Sequence, residues 1–195
     1  MEEQKHVHIA LVGSPRVGKT AFMIRYLDYR FQEHYDPTTT YNSMHKNSFV
    51  EDEYVRIHII DLSGHTYASS NAYKCVFTKA QCIMIMYDVG NRESFDDVAN
   101  WLKTINLFCH QSPLLVMVAN KIDVNPRVIS QDSGLAYARN MAIPYVELSV
   151  KDDAFSVQHL VKTWAECVLA QDNKPPKYWK KKTRNCCGSK QCIII

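Results

Sequence analysis

The spacing of hydrophobic residues along the chain predicts strands and helices that alternate. Apolar runs and alternating apolar positions predict strands at residues 6–12, 43–50, 54–60, 82–87, 114–119 and 144–148. Apolar residues three and four positions apart predict helices at about residues 18–28, 92–109 and 130–141. A last predicted helix has on one face Val157, Leu160, Val161, Trp164 and Val168. The polar stretch at residues 31–42 is predicted to be a long exposed loop.

The order of these elements predicts an α/β fold. The strands at 43–50 and 54–60 flank the acidic turn Glu51-Asp52-Glu53 and are expected to form an antiparallel hairpin. The other strands alternate with helices, which predicts a mostly parallel six-stranded sheet with one antiparallel edge strand and helices on both faces. Ligands of such sheets bind at the carboxyl ends of the strands.

Residues 13–20 match the phosphate-binding pattern G-x-x-x-x-G-K-[ST] between the first predicted strand and the first predicted helix. The eight residues are Gly13, Ser14, Pro15, Arg16, Val17, Gly18, Lys19 and Thr20. Glycines let backbone N–H groups turn inward around phosphate oxygens, and the helix N-terminus adds partial positive charge. Lys19 can reach the β and γ oxygens, and the Thr20 hydroxyl can ligate Mg²⁺. An ordinary glycine turn is the alternative, and the strand–loop–helix context disfavours it.

Two short motifs at the ends of later strands predict that the base is guanine. Asn120, Lys121 and Asp123 follow the strand at 114–119. The Asp123 carboxylate can accept hydrogen bonds from the adjacent N1–H and N2–H₂ donors of guanine, whereas adenine presents an acceptor at N1. The segment Ser149-Val150-Lys151, after the last strand, supplies backbone N–H groups for guanine O6 and a second lysine stem that packs on the ring. Together with the phosphate loop, these motifs predict GTP and GDP as ligands.

With these motifs the sequence resembles the Ras superfamily of small GTPases over essentially its whole length. The matching segments are GSPRVGKT, YDPTTT, DLSGH, NKID, LSVK and the terminal CIII. The resemblance implies a G domain of the P-loop NTPase class. No long insertion separates NKID from LSVK, which counts against a Rho-like member. YDPT and Ile60 resemble the Ras branch, whereas YDVGNRESFDDVANWL resembles the Rab branch, so the subfamily stays open.

The resemblance implies a magnesium site built from three residues. Thr38 would bind Mg²⁺ and the γ-phosphate in the GTP state, and Asp61 would hold Mg²⁺ as well. Thr39 and Thr40 adjoin Thr38, which is chosen by its spacing after the YDP segment. A metal that bridges phosphates prefers hydroxyl and carboxylate oxygens, which Thr20, Thr38 and Asp61 supply.

The resemblance also implies how the protein would work. Phe31 would stack on the base, and the Gly64 N–H would contact the γ-phosphate. Lys19, Thr38 and His65 occupy the catalytic positions for the hydrolysis that switches the protein off. The implied partners in signalling or trafficking are effectors at the switch loops, an exchange factor and an activating protein. A nucleoside or nucleotide kinase is disfavoured because it explains neither the NKID segment nor the tail.

Three departures from the family pattern surround the hydrolysis step. The family has glutamine after the DxxG glycine, where the side chain orients the attacking water, and here that position is His65. Leu62 and Ser63 replace the usual Thr-Ala pair. Pro15 and Arg16 stand where glycine is frequent, and proline lacks an N–H and fills space that an arginine finger needs. We therefore predict intact nucleotide binding with slow hydrolysis, as in a GTP-loaded membrane scaffold; the alternative is neutral substitution with normal turnover.

Charge divides the chain into a predicted G domain at residues 1–172 and a basic tail at residues 173–195. From Lys174 onward there are seven basic residues and no acidic ones, whereas the remainder holds 16 basic and 20 acidic residues. An acidic body disfavours nucleic acid as a partner, and a basic tail favours an anionic membrane surface. No apolar run approaches the ~20 residues of a membrane span. The N-terminus lacks a signal-peptide pattern, so secretion is not expected.

The terminal CIII predicts prenylation of Cys192, with a geranylgeranyl group favoured. One lipid chain binds membranes only marginally, and palmitoylation of Cys186 and Cys187 together with the basic run would supply the second signal. The predicted location is the cytoplasmic face of a cellular membrane, the plasma membrane being favoured over an endomembrane. A basic nuclear-targeting run is the alternative interpretation of the tail.

The remaining cysteines lie in apolar-periodic segments. They are Cys75, Cys82, Cys109 and Cys167. We predict that they are buried thiols in a protein of a reducing compartment, because the seven cysteines contain no CxxC pair and no Cys/His metal spacing.

Overall fold

The computed structural model describes residues 4–32, 37–50, 53–64, 70–109 and 112–170. Its elements are β1 (Lys5–Val12), α1 (Lys19–Asp28), β2 (Tyr41–Val50), β3 (Glu53–Leu62), α2 (Ser70–Lys79), β4 (Cys82–Asp88), α3 (Arg92–Asp96), α4 (Val98–Phe108), β5 (Leu114–Asn120), α5 (Gln131–Asn140), β6 (Tyr145–Glu147) and α6 (Ala154–Leu169).

The strands form one sheet in the order β2-β3-β1-β4-β5-β6. The edge strand β2 is antiparallel to β3, and every other pair in the sheet is parallel. The predicted fold class is confirmed. Because β1 pairs with β3 on one side and β4 on the other, the strand order reverses beyond the carboxyl end of β1. Ligands of open α/β sheets bind at such a switch point.

Helices on both faces of the sheet create two hydrophobic layers. Alternate residues of β1 belong to different layers, with Ile9 and Leu11 in one and Ala10 and Val12 in the other. The first layer is completed by α1 and α6, and the second by α2, α4 and α5. The central strand β4 is therefore apolar at every position from Cys82 to Tyr87.

The last helix, α6, packs as its periodicity predicts. Val157, Leu160, Val161 and Trp164 are buried against the sheet, and Val168 is partly buried at the edge of the same layer. In the part of the chain that the structure describes, no helix combines the length and the hydropathy needed to cross a bilayer.

Buried hydroxyls connect the edge strand β6 to β4 across the intervening strand β5. The Tyr87 and Tyr145 hydroxyl oxygens are 3.0 Å apart, and the Tyr145 hydroxyl donates to Glu147 Oε1 at 2.6 Å. Arg127 forms an ion pair with Glu147. Burial raises the pKa of Tyr87 to about 12, so its hydroxyl stays protonated and able to donate. The network fixes the short strand from which the segment 149–151 emerges.

Three helix and strand predictions differ from the structure. The helix predicted at 92–109 is two helices, because Asp97 ends α3 and serves as the N-cap position of α4. The loop predicted at 31–42 ends early, since Tyr41 and Asn42 already pair with β3. Helix α2 was not predicted, although Tyr73, Val76 and Phe77 bury one face of it.

The cysteine prediction is correct for two positions and wrong for one. Cys82 and Cys167 are buried, and burial raises the pKa of Cys82 well above its ordinary value. Cys109 is half-buried. Cys75 is exposed because it lies on the outer face of α2, between the positions that contact the sheet.

Candidate functional site

The loop between β1 and α1 has a backbone shape that suits phosphate. The φ angle is positive at Gly13 (142°), Arg16 (64°) and Gly18 (99°), and such turns direct successive N–H groups to one side. A Cβ atom at Gly13 would lie 2.1 Å from the carbonyl oxygen of Met86, and one at Gly18 would lie 2.4 Å from Asn120 Nδ2. Glycine is therefore required at both positions by conformation and by space.

Lys19 is a buried cation at the start of α1. Its side chain lies inside the loop, where Nζ donates hydrogen bonds to the carbonyl oxygens of Gly13 at 2.8 Å and Ser14 at 2.9 Å. Burial lowers the pKa of Lys19 to about 8, and the charge of Asp61 acts in the opposite direction. An anion beside Nζ would offset the loss of hydration that lowers this pKa.

The three oxygen ligands predicted for Mg²⁺ lie together at the carboxyl end of β3. Asp61 Oδ2 accepts a hydrogen bond from the Thr20 hydroxyl at 2.6 Å and one from the Thr38 hydroxyl at 3.1 Å. The two hydroxyl oxygens are 3.3 Å apart. Thr39 and Thr40 are exposed, so the structure places Thr38 of the three threonines beside Asp61.

The second carboxylate oxygen of Asp61 provides a test of whether a metal fits. Asp61 is fully buried, and its Oδ1 has no hydrogen-bond partner among the residues that the structure describes. Burial raises the pKa of Asp61, while Thr20, Lys19 and Thr38 lower it. A buried carboxylate oxygen without a partner is costly, and a hard divalent cation binds carboxylate and hydroxyl oxygens. The donor set therefore fits Mg²⁺.

Gly64 packs directly on the phosphate loop. A Cβ atom there would lie 2.4 Å from Pro15 N and 2.8 Å from Lys19 Nζ, so no side chain fits. The preceding residue, Ser63, donates its N–H to the carbonyl oxygen of Thr40 at 2.8 Å. The two segments predicted to be switch loops thus meet beside the loop that carries Lys19.

Asn120 joins the phosphate loop to the predicted base site. Its amide nitrogen donates to the carbonyl oxygen of Val17 at 2.8 Å, and its Oδ1 accepts from the Val150 N–H at 3.0 Å. Asn120 is buried, so both bonds are shielded from water. The Val150 N–H, one of the amides predicted for guanine O6, is engaged by Asn120 in this structure.

Asp123 lies at the open edge of the base site. Ser149 is buried, and its hydroxyl donates to Asp123 Oδ1 at 2.6 Å, which orients the exposed carboxylate. Lys121 Nζ forms a 2.7 Å ion pair with Asp88 Oδ2 at the end of β4. This contact holds the Lys121 stem along the same edge.

Arg25 holds the other side of the base site, and the sequence did not single it out. Its Nε donates to the carbonyl oxygen of Val150 at 2.8 Å, and its guanidinium also donates to the carbonyl oxygen of Lys151. The same guanidinium lies 5.6 Å from the centre of the Phe31 ring, which is half-buried. Its place in the last turn of α1 was the available signal.

A second unpredicted contact reaches the phosphate loop from the break between α3 and α4. The Ser14 hydroxyl donates to Asp97 Oδ2 at 2.7 Å. Asp97 also accepts at Oδ1 from Asn100. The helix break that the periodicity missed therefore anchors the loop.

Several predicted functional residues lie outside the described residues. These are His65, Cys186, Cys187 and Cys192. Their roles remain predictions.

Comparison with known proteins supports the same assignment. The sequence model of the Ras family matches residues 8–169. The Ras-related protein SEC4 of Saccharomyces cerevisiae is 29% identical over 147 residues, which is 74% of this chain and 67% of that protein. The Ras-related protein Rab-3 of Caenorhabditis elegans is 30% identical over 150 residues, 74% of this chain and 66% of that protein. The GTP-binding protein YPTM1 of Zea mays is 30% identical over 149 residues, 74% of this chain and 69% of that protein.

The chain spans about two thirds of the length of these relatives. The family match covers the whole of the sheet except the first residues of β1, and it includes the phosphate loop, Asp61 and the segments after β5 and β6. The chain belongs to the Ras family of small GTPases.

Proposed function

We propose that this protein is a GTP/GDP switch attached to a membrane, with weak GTP hydrolysis. The contact of Thr20, Thr38 and Asp61 beside Lys19 is the observation that carries the proposal. It joins the phosphate loop, the segment before β2 and the end of β3 in one polar cluster. A ligand bound at that cluster controls the position of all three segments.

The residues divide the work of holding the nucleotide. Lys19 and the inward-turned amides of the phosphate loop bind the phosphates, while Thr20, Thr38 and Asp61 hold Mg²⁺. When bound, Mg²⁺ neutralises phosphate charge. Thr38 belongs to a loop segment just before β2, so loss of the γ-phosphate releases that segment and hydrolysis changes the surface offered to effectors. An exchange factor and an activating protein would act on the same two loops.

Base recognition yields a direct test. Asp123→Asn replaces one hydrogen-bond acceptor by an amide N–H₂, which repels the guanine N2–H₂ group but can donate to the C2 carbonyl of xanthine. Hydrogen bonds to charged groups contribute about 1.5–3 kcal/mol each, so GDP affinity should fall at least about tenfold and xanthosine diphosphate affinity should rise. Isothermal titration calorimetry measures both.

Asp132→Asn is the matched control, since Asp132 is exposed on α5, and it should leave GDP affinity unchanged. An Asp123→Asn protein that keeps its preference for GDP would show that another residue selects the base.

The proposal of weak hydrolysis is supported by Pro15 and His65. The nitrogen of Pro15 lies next to Gly64 and carries no hydrogen. The phosphate loop therefore has one backbone hydrogen-bond donor fewer than it would have with any other residue at this position. A neutral imidazole at position 65 is shorter and more rigid than a glutamine amide and positions the attacking water less well. Phosphoryl transfer depends almost entirely on positioning and charge stabilisation. Poorer positioning of the attacking water therefore lowers the rate of hydrolysis and leaves nucleotide affinity unchanged.

Restoring glutamine tests this mechanism. His65→Gln should raise the rate of single-turnover GTP hydrolysis by about tenfold or more, because the amide supplies both a donor and an acceptor to water. The affinity for GDP should not change. His159→Gln on the exposed face of α6 is the control for the chemical change itself.

Equal hydrolysis rates for wild type and His65→Gln would show that His65 is a neutral substitution.

A second candidate function follows from the same residues: a scaffold whose GTP-bound state is set by nucleotide exchange. Pro15 beside Gly64 favours it over a fast-cycling enzyme.

Membrane attachment is proposed from the tail, with Cys192 as the prenylated residue. Cys192→Ser removes the thiol that accepts the isoprenoid, so the chain loses one of the two signals that stable anchoring requires. The variant should move from the membrane fraction to the cytosol, as measured by cell fractionation. Cys75→Ser, on the exposed face of α2, should leave the distribution unchanged. Persistent membrane association of Cys192→Ser would rule out the anchor.

A further inference from the structure

Three histidines converge on one face of β1 and β3, away from the nucleotide site. His8 and His58 are register partners, and His6 precedes His8 by two residues, so all three side chains leave the same face. Ring centroids are 4.4 Å apart for His8 and His58 and 5.1 Å apart for His6 and His58. The cluster is separated from Gly13 by about 16 Å of β1.

The ring nitrogens of this histidine cluster are close enough to share one ion. His6 Nδ1 lies 3.0 Å from His58 Nε2, and one ligand nitrogen from each residue falls within 4.8 Å of the other two. Tetrahedral metal–nitrogen bonds of about 2.0–2.1 Å place the ligand nitrogens about 3.3 Å apart. This spacing is slightly longer than the 3.0 Å contact and lies within the 4.8 Å limit. His6 is exposed and the other two are half-buried, so side-chain rotation can bring the nitrogens to that spacing.

The donor set selects the class of metal. The three ligand atoms are imidazole nitrogens, which suit zinc, copper and nickel, whereas Mg²⁺ and Ca²⁺ prefer oxygen. The charges that act on the cluster include the cations Lys79, near His8, and Arg56, near His58. These two positive charges repel a metal cation, so the binding affinity must come from coordinate bonds to the imidazole nitrogens.

Burial and neighbouring positive charge lower the pKa of two of the imidazoles. Burial, followed by the charges of His8, His6, His45 and Arg56, lowers the pKa of His58 to about 4. Burial also lowers the pKa of His8, with His6 and Lys79 acting in the same direction.

We propose that His6, His8 and His58 form a zinc site with three protein ligands and a fourth position open to water. The bound ion would link β1 to β3 on the face that carries His45 next to His58. It would stabilise the folded chain by mass action and needs no nucleotide.

Calorimetric titration with ZnCl₂ tests the site. The protein is the full-length chain saturated with Mg²⁺ and GDP, with Cys75, Cys186, Cys187 and Cys192 replaced by serine because thiolates compete for zinc. One equivalent of zinc should bind, and His8→Gln and His58→Gln should each weaken binding by at least about tenfold. His159→Gln, an exposed histidine on α6, should have no effect.

A second measurement uses unsubstituted histidines and so does not depend on how the variants fold. In proton NMR spectra of the same protein, zinc should shift the imidazole signals of His6, His8 and His58 and leave that of His159 in place. The proposal is overturned by the absence of saturable zinc binding, by binding that His8→Gln and His58→Gln leave intact, or by shifts that spare these three rings.

Discussion

The architecture depends on keeping a buried cation and a buried anion side by side at the ends of adjacent strands. Lys19 follows the loop after β1, and Asp61 lies near the end of β3. Burial disfavours the charged form of both groups, as the direction of each pKa shift indicates. Carbonyl oxygens and threonine hydroxyls compensate in part, but Asp61 Oδ1 has no partner among the described residues. A phosphate beside Lys19 and a divalent cation beside Asp61 would complete both.

The sheet order explains why these groups meet. Since β1 lies between β3 and β4, the ends of three strands open toward one loop, and Gly13 and Gly18 leave room for main-chain and amide atoms to approach it. Asn120 then ties that loop to the segment after β6. The phosphate loop and the proposed base site are therefore connected through one buried amide.

The sequence predicted what depends on local pattern and missed what depends on tertiary contact. Apolar runs located the strands because buried parallel strands are uniformly hydrophobic, and the phosphate pattern located Lys19 because its spacing is contiguous. Helix α2 is the exception, because its buried residues Tyr73, Val76 and Phe77 have helical spacing and the local pattern did contain its signal. The Ser14–Asp97 bond joins distant segments and has no local signature, and the place of Arg25 in the last turn of α1 did not indicate its partner Val150. The histidine cluster was not predicted either, because its members lie on two strands, β1 and β3, that come together only in the folded sheet.

The most direct measurement is the affinity for GDP with Mg²⁺ present and with Mg²⁺ removed by chelation, for wild type and for Asp61→Asn. The buried carboxylate accounts for a metal-dependent gain, so Mg²⁺ should strengthen GDP binding to wild type, and most of that gain should disappear in the variant. An affinity for GDP that is the same with and without Mg²⁺, or no binding of GDP by the folded chain, would contradict this mechanism.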